Sequence, residues 1–187
     1  MKQGKKDCLK DCITYKEENL GKNIIIPFEI DNKEIQKLFS YFLYSAPEIE
    51  SVHSNHISKG NNTLLFEALF SGRHYTYRKI CSSNTVIDNE LKKVHLEGDK
   101  ICVKCKRFVI KRKKTNKGEQ PEADLVCFLR HIRNSIAHGR VYYLNEKGRI
   151  HIVFEDRNEK NVSARIVCVK ADLEHWKKVL SCKESIE

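Results

Sequence analysis

The sequence contains no apolar run that approaches the roughly 20 residues needed to cross a lipid bilayer. The positive charges of its first residues, MKQGKKDCLKDC, are not followed by the apolar segment of a secretory signal. We therefore expect a cytoplasmic protein whose cysteines are reduced unless they bind a metal. No internal repeat or low-complexity segment is evident, and 187 residues favour a single domain over two.

Acidic residues are too few to balance the basic ones: 25 Asp and Glu face 35 Lys and Arg, which gives a net charge of +10. Such a surplus predicts a polyanionic partner, and we expect nucleic acid rather than an anionic membrane surface. The basic residues are densest at 99–118, which we predict to be a hairpin or irregular excursion from the domain. The simpler alternative is a solvated, charged face. The candidate contacts to an RNA backbone are Lys106, Arg107, Lys111, Arg112, Lys113 and Lys114.

Apolar residues recur with the period of an α-helix in four stretches before residue 140. Ile35 and Phe39 belong to the first stretch. Asp31 or Asn32 can cap this helix, and Pro47 ends it. The four predicted helices cover about 32–46, 62–80, 85–98 and 121–139.

The chain after residue 140 changes to the alternation that is typical of strands. VYYL, RIHIVFED and VSARIVCVK are separated by the turns NEKG and RNEKN, and Ala171 or Asp172 opens a closing helix. Consecutive hairpins without intervening helices argue against a wound parallel fold. The predicted fold class is α+β, with an antiparallel helical bundle, a C-terminal antiparallel β-hairpin sheet and a closing helix. A charged segment at 1–22 precedes this single domain at 23–187.

The most informative stretch is LRHIRNSIAHGRV, at 129–141, which ends the fourth predicted helix. Successive residues of a helix lie about 100° apart, which places Asn134 beside His138 and leaves Arg133 on the flank of the apolar stripe. Histidine can transfer a proton near neutral pH, and arginine can hold a phosphate and stabilise its transition state. The simpler alternative is a polar helix end that Gly139 terminates.

RNSIAHG, inside that stretch, resembles the signature of the HEPN superfamily: an arginine, a polar residue and, a few positions later, a histidine near the end of a bundle helix. The trailing hairpins resemble a bacterial branch of the family that carries a small sheet after the motif. The resemblance implies a metal-independent endoribonuclease without a cofactor, often a toxin or an antiviral defence effector. It also implies a homodimer whose active site forms where the Arg and His pairs of two protomers meet, with an antitoxin or regulator as a further possible partner.

Carried onto this chain, the resemblance assigns catalytic roles to Arg133, Asn134 and His138. Arg130 and His131 border the same polar side of the helix and are candidate RNA contacts. We expect cleavage by attack of a ribose 2′-hydroxyl. The alternative is a non-catalytic nucleic-acid-binding module or a HEPN-like scaffold.

Cysteine offers two further candidate sites. CVKC supplies Cys102 and Cys105 with the spacing of half a zinc site, but the sequence contains no second pair of this kind. Cys127 and His131 lie one helical turn apart and suit a metal or a nucleophile pair, although no third orienting group is evident. Reduced cysteines without a special role are the simpler interpretation.

Overall fold

The computed structural model describes residues 24–25, 30–46, 59–98, 101–115, 119–158 and 161–181. Over these ranges the chain is a mixed α+β structure, which confirms the α+β part of the predicted fold class. The charged segment predicted at 1–22 lies outside the described residues. Within the described ranges, no helix combines the length and the apolar character needed to cross a bilayer.

Five α-helices and one π-helical turn are present in the described ranges. They are α1 (Lys33–Ser40), the π-helical turn (Tyr41–Ser45), α2 (Lys59–Phe70), α3 (Asn84–Lys93), α4 (Asp124–Ala137) and α5 (Lys170–Ser181). Helix α1 begins where predicted, because the Asn32 Oδ1 atom accepts a hydrogen bond from the Ile35 amide at 3.1 Å.

Six strands of the described ranges form a single sheet. They are β1 (Ile24–Ile25), β2 (Tyr77–Cys81), β3 (Arg107–Lys111), β4 (Val141–Glu146), β5 (Arg149–Asn158) and β6 (Asn161–Val169). Their order across the sheet is β1-β4-β5-β6-β3-β2. Strands β2 and β3 are parallel, and the other neighbours are antiparallel.

The two faces of the sheet carry separate apolar cores. Phe108 and Phe154 belong to the larger core, which α1, α2, α4 and α5 cover and in which Trp176 is fully buried. Val109 and Val153 belong to the smaller core, which α3 covers. Because side chains alternate along a strand, β3 and β5 contribute to both cores.

The predicted second helix is longer than the observed one. Helix α2 ends at Phe70, Gly72 follows with a φ of +67°, and Tyr77–Cys81 form strand β2. The parallel partner of β2 is β3, far along the chain, so a tertiary pairing and not the local pattern sets its conformation. In this shorter helix Leu64 is 71% exposed, whereas Phe66 is buried.

The basic stretch at 99–118 is not an excursion from the domain. Its central residues form β3, which lies between β6 and β2 inside the sheet, and Phe108, Val109 and Ile110 are fully buried. The sheet is also larger than the predicted C-terminal one, because β1, β2 and β3 join it from before α4. Lys113 and Lys114 follow the end of β3 by two and three residues and are exposed.

Candidate functional site

The RNSIAHG motif occupies the last turns of helix α4. Apolar side chains of the helix, among them Phe128 and Ile132, are buried in the larger core and anchor it. The helix ends at Ala137 with His138 as its C-cap, and Gly139 follows with a φ of 65°, a conformation that favours glycine. His138 is therefore exposed at a helix end whose position the core determines.

A groove of about 590 Å³ opens along the polar side of helix α4. The helix contributes Arg130, His131, Asn134 and His138, the set that helix geometry places on one side. Residues around the end of β3, the end of β5, one residue of β6 and the first residue of α3 complete it. These further described lining residues are Asn84, Lys111, Arg112, Lys113, Lys114, Asp156, Arg157, Asn158 and Ser163.

The groove carries a surplus of positive charge. Six of its described lining residues are Lys or Arg, and Asp156 is the one acidic residue among them. Lys113 and Lys114 are exposed, and the Lys111 Nζ atom donates a hydrogen bond to the Asn84 Oδ1 atom at 2.5 Å. A concave basic surface of this kind attracts polyanions and suits a phosphodiester backbone.

Asp156 is a buried carboxylate beside the motif. Its Oδ2 atom accepts hydrogen bonds from His131 Nδ1 at 2.7 Å and from Asn134 Nδ2 at 3.0 Å. Burial by itself raises the pKa of Asp156, but the His131 and Asn134 hydrogen bonds and the positive charge of Arg130 outweigh burial, so its pKa lies below the ordinary value. Asp156 is therefore an ionised acceptor shared by two side chains of α4.

His131 connects three elements of the structure. Its side chain is 1% exposed, and its Nε2 atom donates to the Lys111 carbonyl oxygen at 2.7 Å. Because its Nδ1 atom is bound to Asp156, both ring nitrogens have protein partners. A contact between His131 and RNA stays a prediction, although both ring nitrogens already have partners within the protein. The residue ties α4 to the end of β3 and to β5.

Arg130 lines the groove with part of its guanidinium group already paired. Its Nε and Nη2 atoms donate to the two carboxylate oxygens of Glu122 at 2.6 and 2.9 Å. Burial alone raises the pKa of Glu122, but Arg130 and the Lys113 backbone amide lower it further than burial raises it. Glu122 thus holds Arg130 and Lys113 together at the groove. A contact between Arg130 and RNA stays a prediction.

Arg133 lies apart from the groove. Its Nη2 atom is 3.5 Å from the Ala46 carbonyl oxygen, just beyond the π-helical turn, and it is not among the described residues that line the groove. Its Nε atom is buried and has no hydrogen-bond partner among the described residues. Within one chain Arg133 and His138 therefore do not meet, in agreement with the helix geometry.

Two candidates from the basic stretch lie elsewhere in the fold. Arg107 is 3% exposed, and its guanidinium group donates to the carbonyl oxygens of Val94 at 2.8 Å and Cys105 at 2.6 Å. The prediction that Arg107 contacts RNA is wrong, because these carbonyl groups hold it in the interior. Lys106 forms a 3.0 Å ion pair with buried Asp172, and the structure does not bring it to the groove. The other four candidates of the stretch line the groove: Lys111, Arg112, Lys113 and Lys114.

The candidate sites built on cysteine do not fit the structure. Cys105 is disulfide-bonded, against the expectation of reduced thiols, so it cannot join Cys102 as a zinc thiolate. Burial raises the pKa of the Cys127 thiol to about 12, so Cys127 keeps its proton at neutral pH and is not a nucleophile paired with His131. Among the described residues, no three His, Cys, Asp or Glu side chains are grouped to hold a metal ion.

Asp156 is one of the groove residues that sequence reasoning missed, as is Arg157. It follows Ile152 and Phe154 at alternate positions of β5, and both of these belong to the larger core. An acidic residue that continues an apolar alternation is a detectable signal. Its partners, His131 and Asn134, reach it only because α4 packs on this face of the sheet.

Comparison with known proteins agrees with the motif. The family model HEPN pEK499 p136 matches residues 1–181. No curated protein matches the chain significantly, and neither does any solved structure. The match extends over nearly the whole chain and includes the RNSIAHG motif together with all six strands of the sheet. The chain therefore belongs to the HEPN pEK499 p136 family, within the HEPN superfamily whose signature its motif resembles.

Proposed function

We propose that this protein is an endoribonuclease of the HEPN type that cleaves RNA without a metal ion. The groove is the observation that carries the proposal. Asn134 and His138 of the motif line it together with six basic residues that suit an RNA backbone. Membership of a HEPN family supports the same reaction class.

In the proposed reaction, a ribose 2′-hydroxyl attacks the adjacent phosphorus. His138 accepts the hydroxyl proton while the bond between the 2′-oxygen and phosphorus forms. The bond between phosphorus and the 5′-oxygen of the next nucleotide breaks, and the leaving oxygen takes a proton from water. The products are a 2′,3′-cyclic phosphate and a 5′-hydroxyl end. Lys113 and Lys114 hold neighbouring phosphates of the strand.

Arg133 enters the site, in this proposal, from a second copy of the chain. Since Arg133 and His138 of one chain lie on different sides of α4, one chain does not supply both groups to one phosphate. An isologous dimer presents the same patch twice and can bring the arginine of one copy to the histidine of the other. The arginine then stabilises negative charge on the phosphate oxygens.

Cleavage of mixed RNA in EDTA tests the reaction. Wild type should release 2′,3′-cyclic phosphate ends, and His138→Ala should cleave about 10²- to 10⁴-fold more slowly, which is the usual contribution of general acid–base catalysis. His74→Ala removes an exposed histidine that does not line the groove, so it is the matched control and should cleave at the wild-type rate. Equal rates for wild type and His138→Ala would remove His138 from the mechanism.

The same variants test the shared site. After random exchange of subunits between His138→Ala and Arg133→Ala, about half of the dimers are mixed and each has one intact site, so about a quarter of wild-type activity should return. No recovery in a mixture that demonstrably exchanges subunits would contradict a site built from two copies.

We propose a toxin or defence effector as the biological role, in line with the nucleases that the motif resembles. Production of the wild-type protein in bacterial cells should then arrest growth, whereas His138→Ala at the same level should not. We propose an antitoxin or regulatory protein as a further partner in such a role.

A non-catalytic RNA-binding module is the second candidate, and the placement of Arg133 favours it. In a single chain this arginine lies beside Ala46 and away from the groove. RNA binding without any cyclic phosphate product, by a protein that is monomeric in solution, would support this candidate over the nuclease.

A further inference from the structure

Asp156 determines which way the Asn134 carboxamide points. The Asn134 Nδ2 atom donates a hydrogen bond to the Asp156 Oδ2 atom at 3.0 Å. The two ends of a carboxamide have nearly the same shape but opposite roles, since the nitrogen donates and the oxygen accepts. A carboxylate only accepts, so the nitrogen must face Asp156 and the oxygen must face away. This hydrogen bond therefore assigns the orientation of the amide on chemical grounds.

The Asn134 Oδ1 atom remains as an acceptor in a basic groove. Among the described residues no hydrogen-bond donor occupies this oxygen, and Asn134 lines the groove one helical turn before His138. Lysine and arginine side chains supply only donors, so Oδ1 differs from most of the surrounding lining. A phosphate oxygen cannot bind to it, because both atoms are acceptors. A hydroxyl group can.

The packing of the core does not by itself account for Asp156. It continues the alternation of Ile152 and Phe154, where an apolar side chain would be buried without the desolvation cost of a carboxylate. The hydrogen bonds that compensate this cost come from His131 and Asn134. One of them therefore orients a residue of the motif at the groove.

We propose that Asp156 is a positioning residue that presents the Asn134 Oδ1 atom as an acceptor for the 2′-hydroxyl of a ribose next to the attacking one, whose own proton goes to His138. The inference rests on the proposed RNA substrate and extends it to the choice of RNA over DNA. The 2′-hydroxyl is the group that distinguishes the two at a given site. Asp156 acts through Asn134 and does not touch the RNA.

The ratio of RNA affinity to DNA affinity tests this proposal. It is measured with RNA and DNA oligonucleotides of the same sequence, and every protein carries His138→Ala so that the RNA stays intact. Asp156→Asn should lower the ratio about fivefold, since a carboxamide that can flip loses about one hydrogen bond to the hydroxyl. Asn134→Ala should lower the ratio by the same factor, and the double variant should lower it no further. Asp172→Asn is the matched control, because it removes another buried carboxylate that does not line the groove.

An unchanged ratio in a folded Asp156→Asn protein, or losses that add in the double variant, would overturn the proposal. If Asp156→Asn does not fold, solvent exchange of the Asn134 side-chain amide protons is measured by NMR instead. These protons are assigned by the loss of their signals in Asn134→Ala. Slow exchange of one of these protons with solvent supports the bond to Asp156, and fast exchange of both overturns it. Failure of the proposed nuclease function would look different. Wild type would then form no cyclic phosphate, while Asp156→Asn would still lower the ratio of RNA affinity to DNA affinity.

Discussion

Basic side chains in this protein fall into two groups with opposite surroundings. Lys113 and Lys114 are exposed at the groove, whereas Arg107 and Arg165 are 3% and 1% exposed. All four count equally in the formal charge of +10. Only the first group can meet a polyanion, so the net charge predicts a class of partner without indicating which residues bind it.

The buried arginines bind residues 94–98, the segment that follows α3 and packs into the smaller core. Arg165 forms an ion pair with Glu155 at 2.6 Å and donates to the Gly98 carbonyl oxygen at 2.5 Å. Arg107 donates to carbonyl oxygens of the same segment, among them that of Val94. The planar guanidinium fork can satisfy several carbonyl groups at once, which a lysine ammonium cannot do in the same geometry.

Removal of a buried arginine should have the largest effect on folding. Arg165→Ala removes one of the two arginine partners of buried Glu155, since Arg157 stays at 2.5 Å, and it also removes the donor to the Gly98 carbonyl oxygen. The free energy of unfolding should therefore fall by about 3 kcal/mol. Urea denaturation measures the change. The double variant Arg165→Met with Glu155→Leu removes both charges and should recover much of the loss. A loss below about 0.5 kcal/mol, as for an ordinary surface substitution, would contradict the structural role of Arg165.

The exposed lysines should show the reverse behaviour. Lys113→Ala with Lys114→Ala should leave the free energy of unfolding within about 0.5 kcal/mol of wild type. RNA affinity should fall, and the slope of log affinity against log salt should decrease by about 1.4, because each single-stranded phosphate contact contributes about 0.7. Lys92→Ala with Lys93→Ala, an exposed pair that does not line the groove, is the control. An equal loss of affinity in both pairs would remove the groove from RNA binding.

The smallest of these effects should be the loss of stability in acid that comes from the hydrogen bonds of Asp156 to His131 and Asn134. The pKa of Asp156 is lowered from 3.8 in the folded protein, so its bonds to His131 and Asn134 stabilise the fold fully above this value. The contribution is lost as the pH falls through the lower, folded pKa. Urea denaturation from neutral pH to about pH 3 should therefore show a steeper decline for wild type than for Asp156→Asn. Parallel declines would show that Asp156 does not contribute.

Features that depend on neighbouring residues along the chain could be predicted from the sequence. The Asn32 cap, the end of α4 at Gly139 and the separation of Arg133 from His138 all follow from the geometry of one helix. The pattern at 63–80 was misleading, since its end pairs with β3 and becomes a strand. Local periodicity contains no information about a partner that lies so far along the chain.

Charge, the motif and the helix that carries it were determined by the sequence alone, because net charge is a sum over residues and the motif lies within one helix. Only the tertiary structure decided which charges remain in solvent. In the composition of the chain, Arg107 and His131 count in the same way as exposed residues of their type. In the fold, carbonyl groups from other segments of the chain bind both side chains. The role of Asp156 has the same origin, since a carboxylate orients Asn134 only after β5 and α4 pack together.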